Sequence, residues 1–131
     1  MRSMQKQTSS IDSDNQEPSI WTQANTAAEL ASDIQAREIA LVDVTSWTTI
    51  ADYFIVMTAD NPRQMAAIDQ AVSKGLRSIG VKLSQREGSA DSGWLVLDFG
   101  AIIVHVFSSE TRSHYRVDAL WNTGNALLTM Q

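Results

Sequence analysis

The sequence predicts an α+β fold: a single mixed β-sheet of about five strands with helices packed on it. Three observations carry this expectation. Residues 94–98 and 102–107 are apolar, strand-sized runs flanking Phe99-Gly100, as in a hairpin. Residues 39–44 and 53–58 are β-branched and aromatic stretches of the same size. Residues 62–79 instead repeat Met65, Ile68, Val72, Leu76 and Ile79 at helical spacing. A chain of 131 residues, 44% hydrophobic and 19% charged, has room for one domain with an ordinary core.

From the N-terminus, residues 1–20 are rich in Ser, Gln and Asp and offer little to bury, so they are expected to be a disordered leader. Residues 21–131 then form the single domain, with Trp21 its first anchored side chain. Thr26 and Glu29 have capping-box spacing, and Ala27, Leu30, Ala31 and Ile34 follow at helical intervals, predicting a helix to about Ala36. Residues 39–44 form a strand broken by Asp43, and 46–52 a polar connection holding Trp47. The strand at 53–58 is apolar on both faces and so belongs inside the sheet. Asn61-Pro62 starts the long helix, because Asn caps, Pro suits the first helical position and Gln64 stands at capping-box spacing; Gly80 ends it.

A weaker strand is expected at 81–86, then a flexible Gly/Ser loop over 88–93. Strand alternation across the hairpin puts Trp94, Val96, Asp98, Ile103 and His105 on one face, with His105 opposite Trp94. Leu95, Leu97, Ile102 and Val104 share the other face. Residues 110–121 have polar helical spacing through Arg112, Tyr115 and Arg116.

Charge and chemistry narrow the function. The net charge is −5, and the ten basic residues are scattered; Lys74, Arg77, Lys82 and Arg86 form only a loose grouping. Nucleic acid is therefore not expected as the main ligand, whereas a basic protein partner suits an acidic surface. With no cysteine, the chain offers no disulfide scaffold, thiol nucleophile or Cys-ligated zinc site. No apolar run reaches the length of a membrane span, and the N-terminus lacks the apolar core of a signal peptide, so the expected address is the cytoplasm.

No catalytic constellation emerges. His105 and His114 lack triad partners and metal-ligand spacing. His105 is either a packed sheet histidine or an isolated base, the former being the more common arrangement. Gly88-Ser89 followed by Asp98 invites comparison with metal-dependent nucleotidyl transfer, which needs two carboxylates two residues apart on one strand. The flanking positions here are Val96 and Gly100. There is no phosphate-binding glycine loop, and Asp52 is an isolated carboxylate before a strand. No enzyme, metal or cofactor is expected. Trp94, with Asp98 and Phe99 at the neighbouring hairpin end, suits an anchor on a basic partner; packing of Trp94 beneath the C-terminal helix is the competing arrangement.

Short motifs follow one another through Leu41-Val42-Asp43-Val44, Ala51-Asp52-Tyr53-Phe54-Ile55-Val56 with Thr58, Arg63-Gln64, Glu87-Gly88, Gly93-Trp94-Leu95-Val96-Leu97-Asp98-Phe99-Gly100, Val104-His105-Val106-Phe107, Arg112-x-x-Tyr115 and Leu120-Trp121. In their order and spacing the chain resembles the Iojap/RsfS family of ribosomal silencing factors. The resemblance implies a sheet like the nucleotidyltransferase fold without its catalytic carboxylates. It also implies docking on protein fourteen of the large ribosomal subunit, obstruction of subunit joining, repression of translation, and homodimers off the ribosome. Trp94, Asp98, Phe99, Tyr115 and, more weakly, Asp52 are the expected partner-binding residues. The rival expectation is a nucleotide-binding or degenerate nucleotidyltransferase-like domain using Gly88-Ser89. Two positions depart from the family pattern: Ala101 where Asp is usual, and Ala59 where Gly is usual.

Overall fold

Two amphipathic helices cover one face of a six-stranded sheet, and the other face carries a smaller buried cluster with exposed rings at its Trp94 side. The structure is a computed structural model that describes residues 17–120 and 126–130. The elements run α1 (Ile20–Asp33), β1 (Arg37–Asp43), β2 (Tyr53–Ala59), α2 (Pro62–Ser78), β3 (Gln85–Ser89), β4 (Trp94–Asp98), β5 (Ile102–Ser108), α3 (Ser109–His114) and β6 (Ala126–Met130). Short 3-10 turns lie at Ala90–Ser92 and Val117–Leu120. The sheet order is β3-β4-β5-β2-β1-β6, with β2 and β5 parallel and every other neighbouring pair antiparallel.

The five expected strands are present, and β6 adds a sixth beside β1. The doubly apolar β2 is internal, between β5 and β1. The third strand is displaced towards the C-terminus, so much of the expected Gly/Ser loop is β3 and the Ala90–Ser92 turn. All of β3 is exposed, so no buried alternation marks its ends. The first helix starts before Thr26, with Ser19 rather than Thr26 as its cap, accepting from the Thr22 amide. Burial of Ala24, Ala27, Ala28 and Ala31 against the sheet carries the helix through that position. Most of the expected leader lies outside the described residues, but Ile20 is already helical and packs against the core. The expected C-terminal helix is also shorter. Arg116 takes a left-handed φ of 50°, ending α3 before the Val117–Leu120 turn. Trp121 lies outside the described residues.

The α2 helix follows its sequence signals. The Asn61 side chain accepts from the Gln64 amide at 2.8 Å, Pro62 opens the first turn, and Met65, Ile68, Val72 and Leu76 are buried. The reciprocal arm of the box is displaced by one residue, since the Gln64 carboxamide accepts from the Asp60 amide instead of Asn61. Gln64 Nε2 also donates to the carbonyls of Ile34 and Gln35, tying the start of α2 to the end of α1. Asn61→Ala should therefore lower stability by about 1 kcal/mol in urea unfolding, the usual cost of a lost N-cap. Gly75 permits the two helices to touch: a Cβ there would stand 2.5 Å from a Leu30 methyl.

The main core lies between α1, α2 and the sheet face bearing Leu41, Ile55, Met57, Leu95, Leu97, Ile102, Val104 and Val106. A smaller cluster on the opposite face joins Ala40, Val42, Val56, Ile103, Phe107 and Val117, with Phe54 and Val96 at its edge. The predicted division of the hairpin between two faces holds. Its pairing differs in one detail: His105 stands opposite Val96, and Trp94 opposite Phe107.

Candidate docking surface

The sheet face away from α1 and α2 carries a row of aromatic rings, buried at Phe107 and exposed at Trp94 and Tyr115. Alternation along β4 brings Trp94 to this face, and the register places it against Phe107 with ring centroids 5.1 Å apart. Phe54 lies against His105 at 4.6 Å, and Tyr115, at the end of α3, approaches Trp94 at 6.4 Å. Trp94 is 41% exposed and Tyr115 63%, so both rings present apolar area to solvent. The C-terminal helix does not cover Trp94. Between β4 and α3 the two rings border a groove of about 650 Å³ that also takes in Val96, His114, Glu87 and Glu110. Gly88 permits the close pairing beside it, because a Cβ would collide with the Trp94 carbonyl.

His105 is the polar member of this aromatic row. Trp94 Nε1 donates to His105 Nδ1 at 3.3 Å, which fixes the neutral tautomer with its proton on Nε2. That Nε2 is buried and has no hydrogen-bond partner among the described residues. Burial among the rings pushes the His105 pKa down from 6.5 to about 4. The unfolded chain therefore binds a proton that the folded one refuses as pH falls from 6.5 towards 4, and stability decreases across that window. His105→Phe should flatten this part of the stability profile, measured by urea unfolding at a series of pH values. The residue is thus a packed sheet histidine.

The expected partner-binding residues separate into three places. Trp94 and Tyr115 come together at the groove. Asp98 shares the Trp94 face but lies four residues along the strand, about 13 Å away. It accepts from the Gly100 amide at 2.8 Å, so it stabilises the hairpin turn as well as presenting charge. Asp52 stands at the same end of the sheet. Its amide donates to the Ala101 carbonyl at 2.8 Å and its carbonyl accepts from Val44, so Ala101 serves this contact through its backbone. Phe99 turns the other way and is buried in the main core, 7% exposed, with little area to offer a partner.

One residue beneath the groove carries more weight than its polar helical spacing suggested. Arg112 of α3 is buried, and its Nη1 donates to the Glu38 carbonyl at 2.7 Å and to Thr58 Oγ1 at 2.9 Å. Its Nε and Nη2 clasp Asp118 at 3.0 and 2.6 Å. Glu38 sits at a bulge in β1 with a left-handed φ of 53°. Arg112 thereby fastens α3, and Tyr115 at its end, to β1, β2 and the following turn. A sequence signal existed in Thr58, a hydroxyl inside an apolar strand that demanded a partner.

The stretch Gly88-Ser89 is not a free phosphate-binding loop: both residues pair with β4, and Ser89 exchanges capping hydrogen bonds with Ser92. No three His, Asp or Glu side chains among the described residues converge as a metal site. No helix among them is long and apolar enough to cross a membrane.

A family model described as "Ribosomal silencing factor during starvation" matches residues 16–130. The chain is similar to the ribosomal silencing factor RsfS of Bacillus subtilis, 30% identical over 72% of this chain and 80% of that one. Its namesake in Zymomonas mobilis is 33% identical over 71% and 70%. A crystal structure of a Chromobacterium violaceum protein superposes with a TM-score of 0.75 at 31% identity, covering 79% of this chain and 87% of that one. A match over almost the whole described domain, with the fold shared at that identity, places this chain in the ribosomal silencing factor family.

Proposed function

We propose that the protein docks on the large ribosomal subunit through the sheet face that bears Trp94 and represses translation by occupying a surface needed for subunit joining. The partner is a basic ribosomal protein, protein fourteen of that subunit according to the family resemblance. The observation that carries this reading is the Trp94–Tyr115 pair, two solvent-exposed rings beside a groove that also holds Glu87 and Glu110. Aromatic anchors with peripheral carboxylates fit a basic protein surface. Asp98 and Asp52 extend the acidic border towards the hairpin end, and the net charge of −5 favours encounter with such a partner.

The reading needs no chemistry, cofactor or metal. Likeness of the sheet to the nucleotidyltransferase fold belongs to the same proposal, as a scaffold used for docking. Val96 and Gly100 on either side of Asp98 support it, since a metal-binding carboxylate pair would need one of those positions. The place of action is the cytoplasm, with the ribosomes, and pairing of two copies off the ribosome would cover the exposed rings.

Order of addition tests the mechanism. Mixed with large subunits before small subunits are supplied, the protein should suppress assembled ribosomes in a sucrose gradient. Added to ribosomes already joined, it should suppress them far less, because its surface is then occupied. Equal suppression in both orders would contradict occupancy. Transfer of a labelled nucleotide to any acceptor would favour the transferase alternative.

A further inference from the structure

The helical side of the sheet carries a second groove, on the face away from Trp94. The sequence leaves Lys74, Arg77 and Arg86 as part of a loose scatter, but the fold gathers these three on one groove of about 450 Å³. The pairing of Arg86 with Leu97 turns the Arg86 side chain to the helical side, where β3 meets α2. There Asp69 holds it in a fork, with Nε at 2.8 Å and Nη2 at 2.9 Å. The fork uses one edge of the guanidinium and leaves Nη1 available. Lys74 and Arg77, three apart on the solvent face of α2, complete the cationic wall; neither belongs to an ion pair among the described residues. Gln70 adds a neutral donor, while the Ser73 hydroxyl donates to Asp69 at 3.1 Å, and the lining carries three positive charges against the one of Asp69, on a chain of net charge −5.

We infer that this groove is an accessory contact for the phosphate backbone of structured RNA, used while the sheet face that bears Trp94 engages its protein partner. The inference rests on ribosome association as proposed above. A subunit surface consists of RNA and mostly basic proteins, and only the RNA complements a cationic groove. A guanidinium held in place by Asp69 loses little freedom on meeting a phosphate. Neighbouring cations at helical spacing can follow successive phosphates along a strand. The net negative charge keeps this contact subordinate, so it adds to docking and does not replace it.

Salt dependence of large-subunit binding tests the inference. The double variant Lys74→Glu/Arg77→Glu changes exposed side chains and should keep the parental melt. The slope of log affinity against log KCl should become shallower by about 0.7–0.9 for each phosphate no longer neutralised, hence by about 1.5 for two. A control pair outside the groove, Arg63→Glu/Lys82→Glu, changes net charge equally and should move the slope much less. Trp94→Ala should weaken binding at every salt concentration with its slope unchanged. A double variant retaining the wild-type slope, or a control pair matching its effect, would overturn the groove. If the wild-type chain fails to bind subunits, the docking proposal fails by itself. The groove is then tested on a synthetic RNA duplex at low salt, where the double variant should bind at least about tenfold more weakly. Equal binding, or groove-dependent binding of polyglutamate without RNA, would overturn the assignment.

Discussion

Arg112→Met is expected to lower the unfolding free energy by about 3–5 kcal/mol, a large share of the stability of a domain this size. The side chain is buried, and it supplies donors to the Thr58 hydroxyl and the Glu38 carbonyl, which methionine cannot replace. Each hydrogen bond from a charged donor is worth about 1.5–3 kcal/mol, and a buried acceptor left empty adds its own penalty. The left-handed Glu38 is also left without the donor that holds its carbonyl in place. Asp118→Asn should cost less, because the amide keeps one oxygen acceptor for Arg112, the buried bonds of Arg112 Nη1 to Glu38 and Thr58 stay in place, and water can reach the guanidinium edge at this 52% exposed position. Arg112→Lys should fall between them, keeping charge but losing the fork. Urea unfolding of the three variants checks the order. An Asp118→Asn loss as large as that of Arg112→Met would show that the ion pair, not the buried hydrogen bonds, carries the stability. Docking should weaken as well, since α3 spans only Ser109–His114, too short to hold Tyr115 by itself.

Trp94→Ala should weaken large-subunit binding by about 2 kcal/mol or more, roughly thirtyfold, while the domain retains a cooperative melt. The ring is partly exposed, so its removal opens no deep cavity. Asp98→Lys reverses a charge on the same face and should also weaken docking, by about 2–5 kcal/mol if the partner buries the pair. Asp98 also accepts from Gly100, so Asp98→Asn is the necessary companion: it keeps an acceptor for the turn and removes only the charge. Leu97→Ala acts on the opposite face, where the side chain is fully buried, and should cost about 2–5 kcal/mol of stability by leaving a cavity. Melting and binding measured on the same four variants separate the two faces. Unfolding of the domain by Trp94→Ala, with normal binding by Asp98→Lys, would assign this face to the core or to a dimer.

The parts of this fold written most plainly in the sequence are those where burial imposes a period. The α2 stripe, the doubly apolar β2 and the alternation of β4 each need a particular pattern, and each stands where the pattern places it. Exposed or irregular parts are less legible. All of β3 is exposed, and α3 is ended by a left-handed Arg116 that no glycine or proline announces. Pro18-Ser19 is a start signal for α1, overshadowed by the capping-box spacing of Thr26 and Glu29.

The site shows the same division. Alternation distinguishes Trp94 from Leu95 and Leu97, and carried through the turn it also places Phe99 with Leu97, inside the core. The expectation that Phe99 binds a partner follows its neighbours instead of its parity. Arg112 and the Lys74–Arg77–Arg86 groove depend on residues distant in sequence, Thr58 and Glu38 for the first and α2 with β3 for the second. Charge spacing along the chain contains neither arrangement.

Cosedimentation with purified large and small ribosomal subunits tests the central claim most directly. The wild-type chain should pellet with large subunits and remain in the supernatant with small ones, and Trp94→Ala should pellet with large subunits far less than the wild type at concentrations near the wild-type Kd. Failure of the wild type to pellet with large subunits, or unaltered pelleting by a folded Trp94→Ala, would contradict docking through the sheet face that bears Trp94.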